Sequence, residues 1–252
     1  MTQRQDASRR RKIINYPYSL NFPGTNGSHL HIGTNVYAPE RDQPWGIAYW
    51  ILPKNNNISN AHIFAEIDST LPYRGRIIRA TGGLLYVWLI NTFNTNECYA
   101  NYKMPPIGFW SRVMHGYDGS SNSSGITTYV NGVLQTKNAV RDLLSATIVP
   151  TSASTRWGGW SGVGGNYPMY LTTPTYLDYC PTADDAADDY YDAVLETPPL
   201  DIYGCTEGSL TSVASQGVGN HTATIVGSVA WSATQTPMKD HIIIPQNRLS
   251  LS

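Results

Sequence analysis

The chain has 252 residues, 14% of them charged, and a formal net charge of −1. That length is enough for one large domain with a substantial core, while the near-neutral balance supplies no global field of the kind that attracts nucleic acid. Charged residues fall well below the usual quarter. Gly, Ser, Thr, Asn, Pro and Tyr take their place, a mix that favours strands and turns over helices. No run of about 18 apolar residues exists, so no membrane span is expected.

Residues 1–16 read as a polar N-terminal arm. Its basic cluster, Arg9, Arg10, Arg11 and Lys12, is expected to be solvated or to dock on a larger assembly. Ile13-Ile14 does not open an apolar core segment, so no secretory signal is expected. From Pro17 the pattern alternates. "SLNF" and "HLHI" flank the turn residues "PGTNGS". "WGIAYWIL" (45–52) is apolar throughout, as in a strand buried on both faces. "AHIFAEI", "GRIIRA" and "LLYVWLI" (84–90) follow. In "WSRVMHGYD" (110–118), Trp110, Arg112, Met114 and Gly116 share one face, and Ser111, Val113, His115 and Tyr117 the other. "ITTYV" and "GVLQT" are joined by Asn131-Gly132, which supplies the two positive φ angles of a two-residue hairpin turn. "TRWGGW" and "MYLTT" come later.

The single helical signal is "TADDAADDYYDAVL" (182–195). Thr182 is suited to cap it, and Asp184 and Asp185 to sit at its positive end. Residues 197–235 return to short β-like runs, and residues 236–252 form a tail in which Ile242, Ile243 and Ile244 are suited to add a strand to a neighbour's edge. Strand signals spaced roughly ten residues apart, with turn chemistry between them, predict an all-β sandwich. Cys98, Cys180 and Cys205 are odd in number and form no CxxC pair, so free thiols are expected.

The order of these pieces resembles the laminin-G-like, concanavalin-A-like jelly-roll domains. The resemblance is carried by Ser19-Leu20-Asn21-Phe22-Pro23-Gly24 with His31-Ile32-Gly33, by Trp45-Gly46-Ile47-Ala48-Tyr49-Trp50-Ile51, and by Trp110-Ser111-Arg112-Val113 leading to Tyr117-Asp118-Gly119-Ser120. Thr128-Tyr129-Val130-Asn131-Gly132, Trp157-Gly158-Gly159 and the helix at 184–191 complete it. The helix departs from the family pattern, with Asp and Ala where Glu and Leu are expected. The resemblance implies an all-β, two-sheet antiparallel jelly-roll sandwich over residues 17–235, completed by 197–235, with one short helix and extended termini.

Candidate chemistry is sparse. Glycosidases of the laminarinase type share this fold and place Glu-x-Asp-x-(x)-Glu on one strand. Glu66 and Asp68 match its first two acids, but Ser-Thr-Leu-Pro at 69–72 offers no third, so a proton donor is missing. His29 and His31 share a face at metal-compatible spacing, without a third ligand nearby. Asp118 with Asn122 is a candidate calcium site, calcium being bound at loop ends in some family members, although Asp-Gly-Ser is also plain turn chemistry. The stretch "TRWGGWSGVGGNYPMY" sets Trp160, Trp157, Tyr167 and Tyr170 among glycines. Trp160 and Tyr167 would stack on sugar rings and Arg156, Asn166 and Ser161 would bond hydroxyls, with Trp157 expected in the core.

Sandwiches of this family occur among phage virion components as head decorations, fibres and tail adhesins. The expectation is therefore a non-enzymatic virion structural protein, made in the host cytoplasm and forming a homo-oligomer. It docks on other virion proteins through arm and tail, needs no cofactor, and holds cell-surface glycans weakly. A glycosidase using Glu66 and Asp68, and a bacterial lectin module exported by another route, are the alternatives.

Overall fold

Side chains alternate across a strand, so a period-2 sequence can cover one core face and leave a second face to be dealt with separately. In the computed structural model, which describes residues 17–160, 165–190, 195 and 197–233, the alternating runs become β1 (Ser19–Phe22), β2 (His29–Thr34), β3 (Trp45–Pro53), β4 (Ala61–Ile67), β5 (Gly75–Thr81), β6 (Leu84–Thr92), β7 (Asn96–Lys103), β8 (Ser111–Tyr117), β9 (Ile126–Val130) and β10 (Val133–Leu134). They continue as β11 (Ala139–Asp142), β12 (Ser154–Trp157), β13 (Gly165–Asn166), β14 (Met169–Leu177), the helix α1 (Ala183–Tyr190), β15 (Asp201–Ile202), β16 (Ser212–Ala214), β17 (Thr222–Val226) and β18 (Ala230–Ser232).

Two sheets result. Sheet A runs β10-β9-β8-β3-β14-β1-β18, with β15 paired to β14. Sheet B runs β11-β7-β6-β5-β4-β12-β2-β17-β16, with β13 paired to β4. Among the described residues the ladders are antiparallel, apart from β13 on β4. The chain is thus an all-β jelly-roll sandwich with one helix, as its sequence predicts. The stretch past residue 197 supplies strands to both sheets: β17 pairs with β2, and β18 with β1.

The core between the sheets follows the alternation. β3 sends in Trp45, Ile47, Tyr49 and Ile51, and β6 sends in Leu85, Val87 and Leu89. The outer face of sheet A is covered by α1, where Ala186 packs on Ala48, Met114, Tyr129 and Leu177. Thr182 and Asp185 cap this helix reciprocally: Thr182 N donates to Asp185 Oδ2 (2.9 Å) and Asp185 N to Thr182 Oγ1 (3.2 Å), a pairing that satisfies first-turn donors. Arg112 Nη2 donates to Asp189 Oδ1 (2.7 Å) and so ties the helix to β8. The β9–β10 hairpin turns on Asn131 (φ 52°) and Gly132 (φ 78°), the two positive angles that its sequence predicts.

A buried ion pair lies between the sheets. Glu66 and Arg76 sit on adjacent strands in register, with side chains 1% and 3% exposed, and Arg76 Nη2 donates to Glu66 Oε2 at 2.9 Å. The other Glu66 oxygen accepts Tyr37 N (2.9 Å) and Thr155 Oγ1 (2.6 Å). The guanidinium stacks over Trp45 (4.7 Å) and Tyr176 (4.9 Å). Removing one member of such a pair leaves the other charge buried without compensation. Glu66→Ala should therefore lose about 3–5 kcal/mol in urea unfolding; a loss under about 1 kcal/mol would remove the pair from this role.

His115 lies wholly inside, between Tyr49 OH (2.9 Å from Nε2) and Thr128 Oγ1 (2.8 Å from Nδ1). Burial pushes its pKa down to about 3. The folded state thus binds this proton less readily than the unfolded chain, whose His titrates near 6.5. Its stabilising contribution is complete above pH 6.5 and is lost as the pH falls from there toward 3. Melting curves should show stability falling between pH 6.5 and 5, above the carboxylate range, by up to about 1.4 kcal/mol per unit for each such His. A flat profile there would contradict the burial.

Candidate functional site

Sheet B differs from sheet A in what covers its outer face. α1 packs on sheet A, and no other α-helix occurs among the described residues. The outward residues of sheet B are nonetheless apolar: Ala65 and Ile67 on β4, Ile77 on β5, and Trp88 and Ile90 on β6. Side chains from loops and from the end of β12 lie over them, namely Tyr73, Phe93 and Trp160. Between these lies a cavity of about 150 Å³. Its walls are Trp160, Tyr73 and Phe93, its floor is Ile67, Ile77 and Ile90, and its polar lining is Asn60, His62 and Arg79.

The local sequence explains the placement. β4 shifts register between His62 and Phe64, a bulge that sends Ile63 and Phe64 both into the core and leaves His62 on the outside. In Trp157-Gly158-Gly159-Trp160 the two indoles go opposite ways. Trp157 is 1% exposed and packs on Tyr49 (5.4 Å) and Phe64 (5.1 Å) in the core. Gly158 (φ 81°) then reverses the chain where a Cβ would stand 2.2 Å from the Phe22 ring, which delivers Trp160 to the outer face. Tyr73 also has positive φ (61°), uncommon for a bulky residue and a mark of constraint. Its loop is pinned by Phe93 N donating to Pro72 O (3.1 Å).

The rings form a chain of edge-to-face contacts: His62 to Trp160 (5.3 Å), Trp160 to Tyr73 (5.4 Å), and Tyr73 to Phe93 (6.0 Å). His62 Nδ1 lies 3.2 Å from Gly165 O. A carbonyl accepts only, so Nδ1 carries the proton and Nε2 is a bare acceptor. Burial pushes the His62 pKa down to about 4, so the ring is neutral at pH 7. The Arg79 guanidinium lies over Trp88 (4.2 Å) and Tyr86 (5.3 Å). Among the described residues, the N–H groups Arg79 Nε, Trp88 Nε1 and Trp160 Nε1 have no hydrogen-bond partner. Such groups call for an acceptor.

The residues expected to hold sugar are divided by the fold. Trp160 enters the cavity. Arg156 sits on the same outer face, on β12 beside Ala65, and its Nε donates to Ser154 Oγ (2.8 Å). Two expectations fail. Asn166 is buried, its amide donating to Thr25 O (2.8 Å) and Ser28 O (2.7 Å). Tyr167 is fully buried in the core, with its hydroxyl on Asn56 Oδ1 (2.9 Å). The chain past Gly165 re-enters the sandwich, so that Asn166 ties down the 25–28 turn and Tyr167, facing the other way, fills the core. Tyr170 lies elsewhere, on sheet A under Lys54. Ser161, the arm residues Arg9 to Lys12, and Ile242 to Ile244 lie outside the described residues. Arg79, His62, Tyr73 and Phe93 went unnoticed in the sequence, although the second face of "LLYVWLI", Tyr86-x-Trp88-x-Ile90, signals an apolar outer surface.

The other candidates resolve into scaffold. Glu66 is sealed between the sheets, and Asp68 accepts Thr151 N (2.9 Å) and Ser152 N (3.0 Å) to hold a loop. The two acids do not face one cleft, so the glycosidase arrangement is not formed. Asp118 Oδ1 accepts Ser120 N (2.9 Å) and Asn122 Oδ1 accepts Ser124 N (2.8 Å), both within their own turn. His29 Nδ1 contacts Gly27 O (3.0 Å) and His31 Nδ1 contacts Ser154 Oγ (2.8 Å). Among the described residues no group of three His, Cys, Asp or Glu is arranged to hold a metal ion.

No family model and no curated protein sequence matches this chain. Among solved structures, a candidate carbohydrate-binding protein from Bacteroides ovatus is similar, with a TM-score of 0.59 and 13% identity over 88% of this chain and 61% of that one. A heptameric SAP-like pentraxin from Limulus polyphemus gives 0.45, with 16% identity over 70% and 83% of the two chains. The binding domain of botulinum neurotoxin serotype C1 gives 0.44, with 15% identity over 59% and 36%. The chain spans about three fifths of the Bacteroides ovatus protein. The first likeness shows the fold, a jelly-roll sandwich, and the other two are too distant to add an argument.

Proposed function

We propose that this protein is a non-enzymatic glycan-binding sandwich that takes one sugar ring into the outer cavity of sheet B. The observation that carries this reading is the cavity itself: a half-buried Trp160 beside Tyr73 and Phe93, with polar groups from Asn60, His62 and Arg79 at its edge. Aromatic faces stack on the apolar faces of sugars, and convergent donors and acceptors fix the hydroxyls. The volume is small beside the roughly 300–1,000 Å³ of drug-sized sites, which suits a terminal residue rather than a long chain. Neither Asp nor Glu lines the cavity, so the paired carboxylates of glycoside hydrolysis are not at hand. The carbohydrate-binding description of the Bacteroides ovatus protein agrees with this reading.

The second part of the proposal is a place on a virion, as a decoration protein, fibre or adhesin made in the host cytoplasm. Arm and tail would dock on other particle proteins and on further copies of the chain. Its support is the basic cluster Arg9 to Lys12, the apolar Ile242 to Ile244, and the exposed Val133, Leu134 and Val140 on β10 and β11, the terminal strands of the two sheets. Unpaired strand edges of this kind are templates for association. Mass spectrometry of purified particles should find the chain; a gene neighbourhood of secretion components without capsid genes would favour an exported lectin instead.

Trp160→Ala should lower binding to the best ligand on a glycan array at least tenfold, with a melting temperature within a few degrees of the parent protein. Prolonged incubation with that ligand should release no shorter product. Unchanged binding by the Trp160→Ala variant would overturn the site.

A further inference from the structure

We infer that the sugar recognised here is acidic, and that the Arg79 guanidinium receives its carboxylate; this rests on the cavity being a glycan site. Arg79 is the single formal charge among the lining residues. Its side chain is half-buried, and among the described residues it has neither a hydrogen bond nor an ion pair, and its Nε is without a partner. What holds it is stacking on Trp88 and Tyr86. Stacking fixes the plane of a guanidinium and leaves its N–H edge for an acceptor.

A cation withdrawn from water without a partner is costly, and a carboxylate offers the fork geometry that offsets this cost. Glu97 lies two strands away on β7 and acts on Arg79 electrostatically, but its Oε1 is ion-paired with Arg141 Nη1 (3.1 Å) and its Oε2 accepts Asn94 N (2.8 Å). Trp160 Nε1 is a second donor on the wall without a partner among the described residues. The lining thus offers one cation and a neutral indole N–H, with no protein anion to compete. A neutral sugar would use the aromatic wall and leave Arg79 as it stands, whereas an acidic sugar uses both.

Matched pairs test this: oligouronates against their methyl esters, and sialyllactose against lactose, titrated into the full chain by calorimetry with a sulfated oligosaccharide as a further arm. The acidic member of at least one pair should bind at least tenfold tighter than its neutral partner. That preference should shrink as salt rises toward 1 M, where the screening length is about 3 Å. Arg79→Met should remove the preference while keeping residual neutral binding, Arg79→Lys should keep part of it, and Trp160→Ala should remove both. Equal affinity for acid and neutral partners would overturn the acidic assignment and leave the glycan site standing. Binding of the sulfated glycan alone would overturn the carboxylate. No binding in any arm would overturn the glycan site with it. The comparison within each pair uses the native protein, so the outcome stands even where a variant fails to fold.

Discussion

Sheet B has two apolar faces and, among the described residues, a helix for neither. Strand alternation places Leu85, Val87 and Leu89 on one side of β6 and Trp88 and Ile90 on the other, and both sides must leave water. The inner side meets sheet A. The outer side is closed piecemeal by Tyr73, Phe93 and Trp160, whose large rings meet edge to face and do not fill the space between them. The cavity is the geometric remainder of covering a flat apolar sheet with a few rigid plates. On sheet A the same requirement is met by α1, which follows the surface closely and leaves Ala186 against Met114 and Tyr129.

The interior of the sandwich is more polar than its composition suggests. Glu66 and Arg76 bring opposite charges into a buried layer, and Tyr37, Thr155, Trp45 and Tyr176 complete their surroundings. A buried pair of this kind is a poor source of net stability but a demanding one for register, because any slip of β4 on β5 strands a charge. Glu66 accordingly acts as a locator for the strand that also carries His62 and Ile67 to the outer cavity. The acid that looks most like a catalyst in the sequence acts instead on the position of the cavity floor.

Strands, hairpin and helix were legible because their signals are local. Asn131-Gly132 needs nothing beyond its own backbone to make the turn, Thr182 and Asp185 cap the helix within three residues, and the alternation in "WSRVMHGYD" already separates Val113 and Tyr117 from Met114. The cavity was legible in one residue, Trp160. Asn166 and Tyr167 were misplaced because glycines around them hide which way the chain turns: Gly158 reverses it outward, and the strand beginning at Gly165 carries it back in. Arg79 and Phe93 gave no signal, since a lone cation in a strand and a loop aromatic acquire meaning through the neighbours they meet.

The sequence by itself determined the class of fold, through a period-2 pattern that can bury apolar residues in no other regular way, together with the turn and cap chemistry that punctuates it. Tertiary structure alone decided which acids are sealed, which aromatics reach solvent, and that residues 60, 62, 73, 79, 93 and 160 line one cavity. The reason is physical: a strand's own sequence fixes which side chains share a face, but the identity of the opposing surface depends on contacts between strands far apart in the chain.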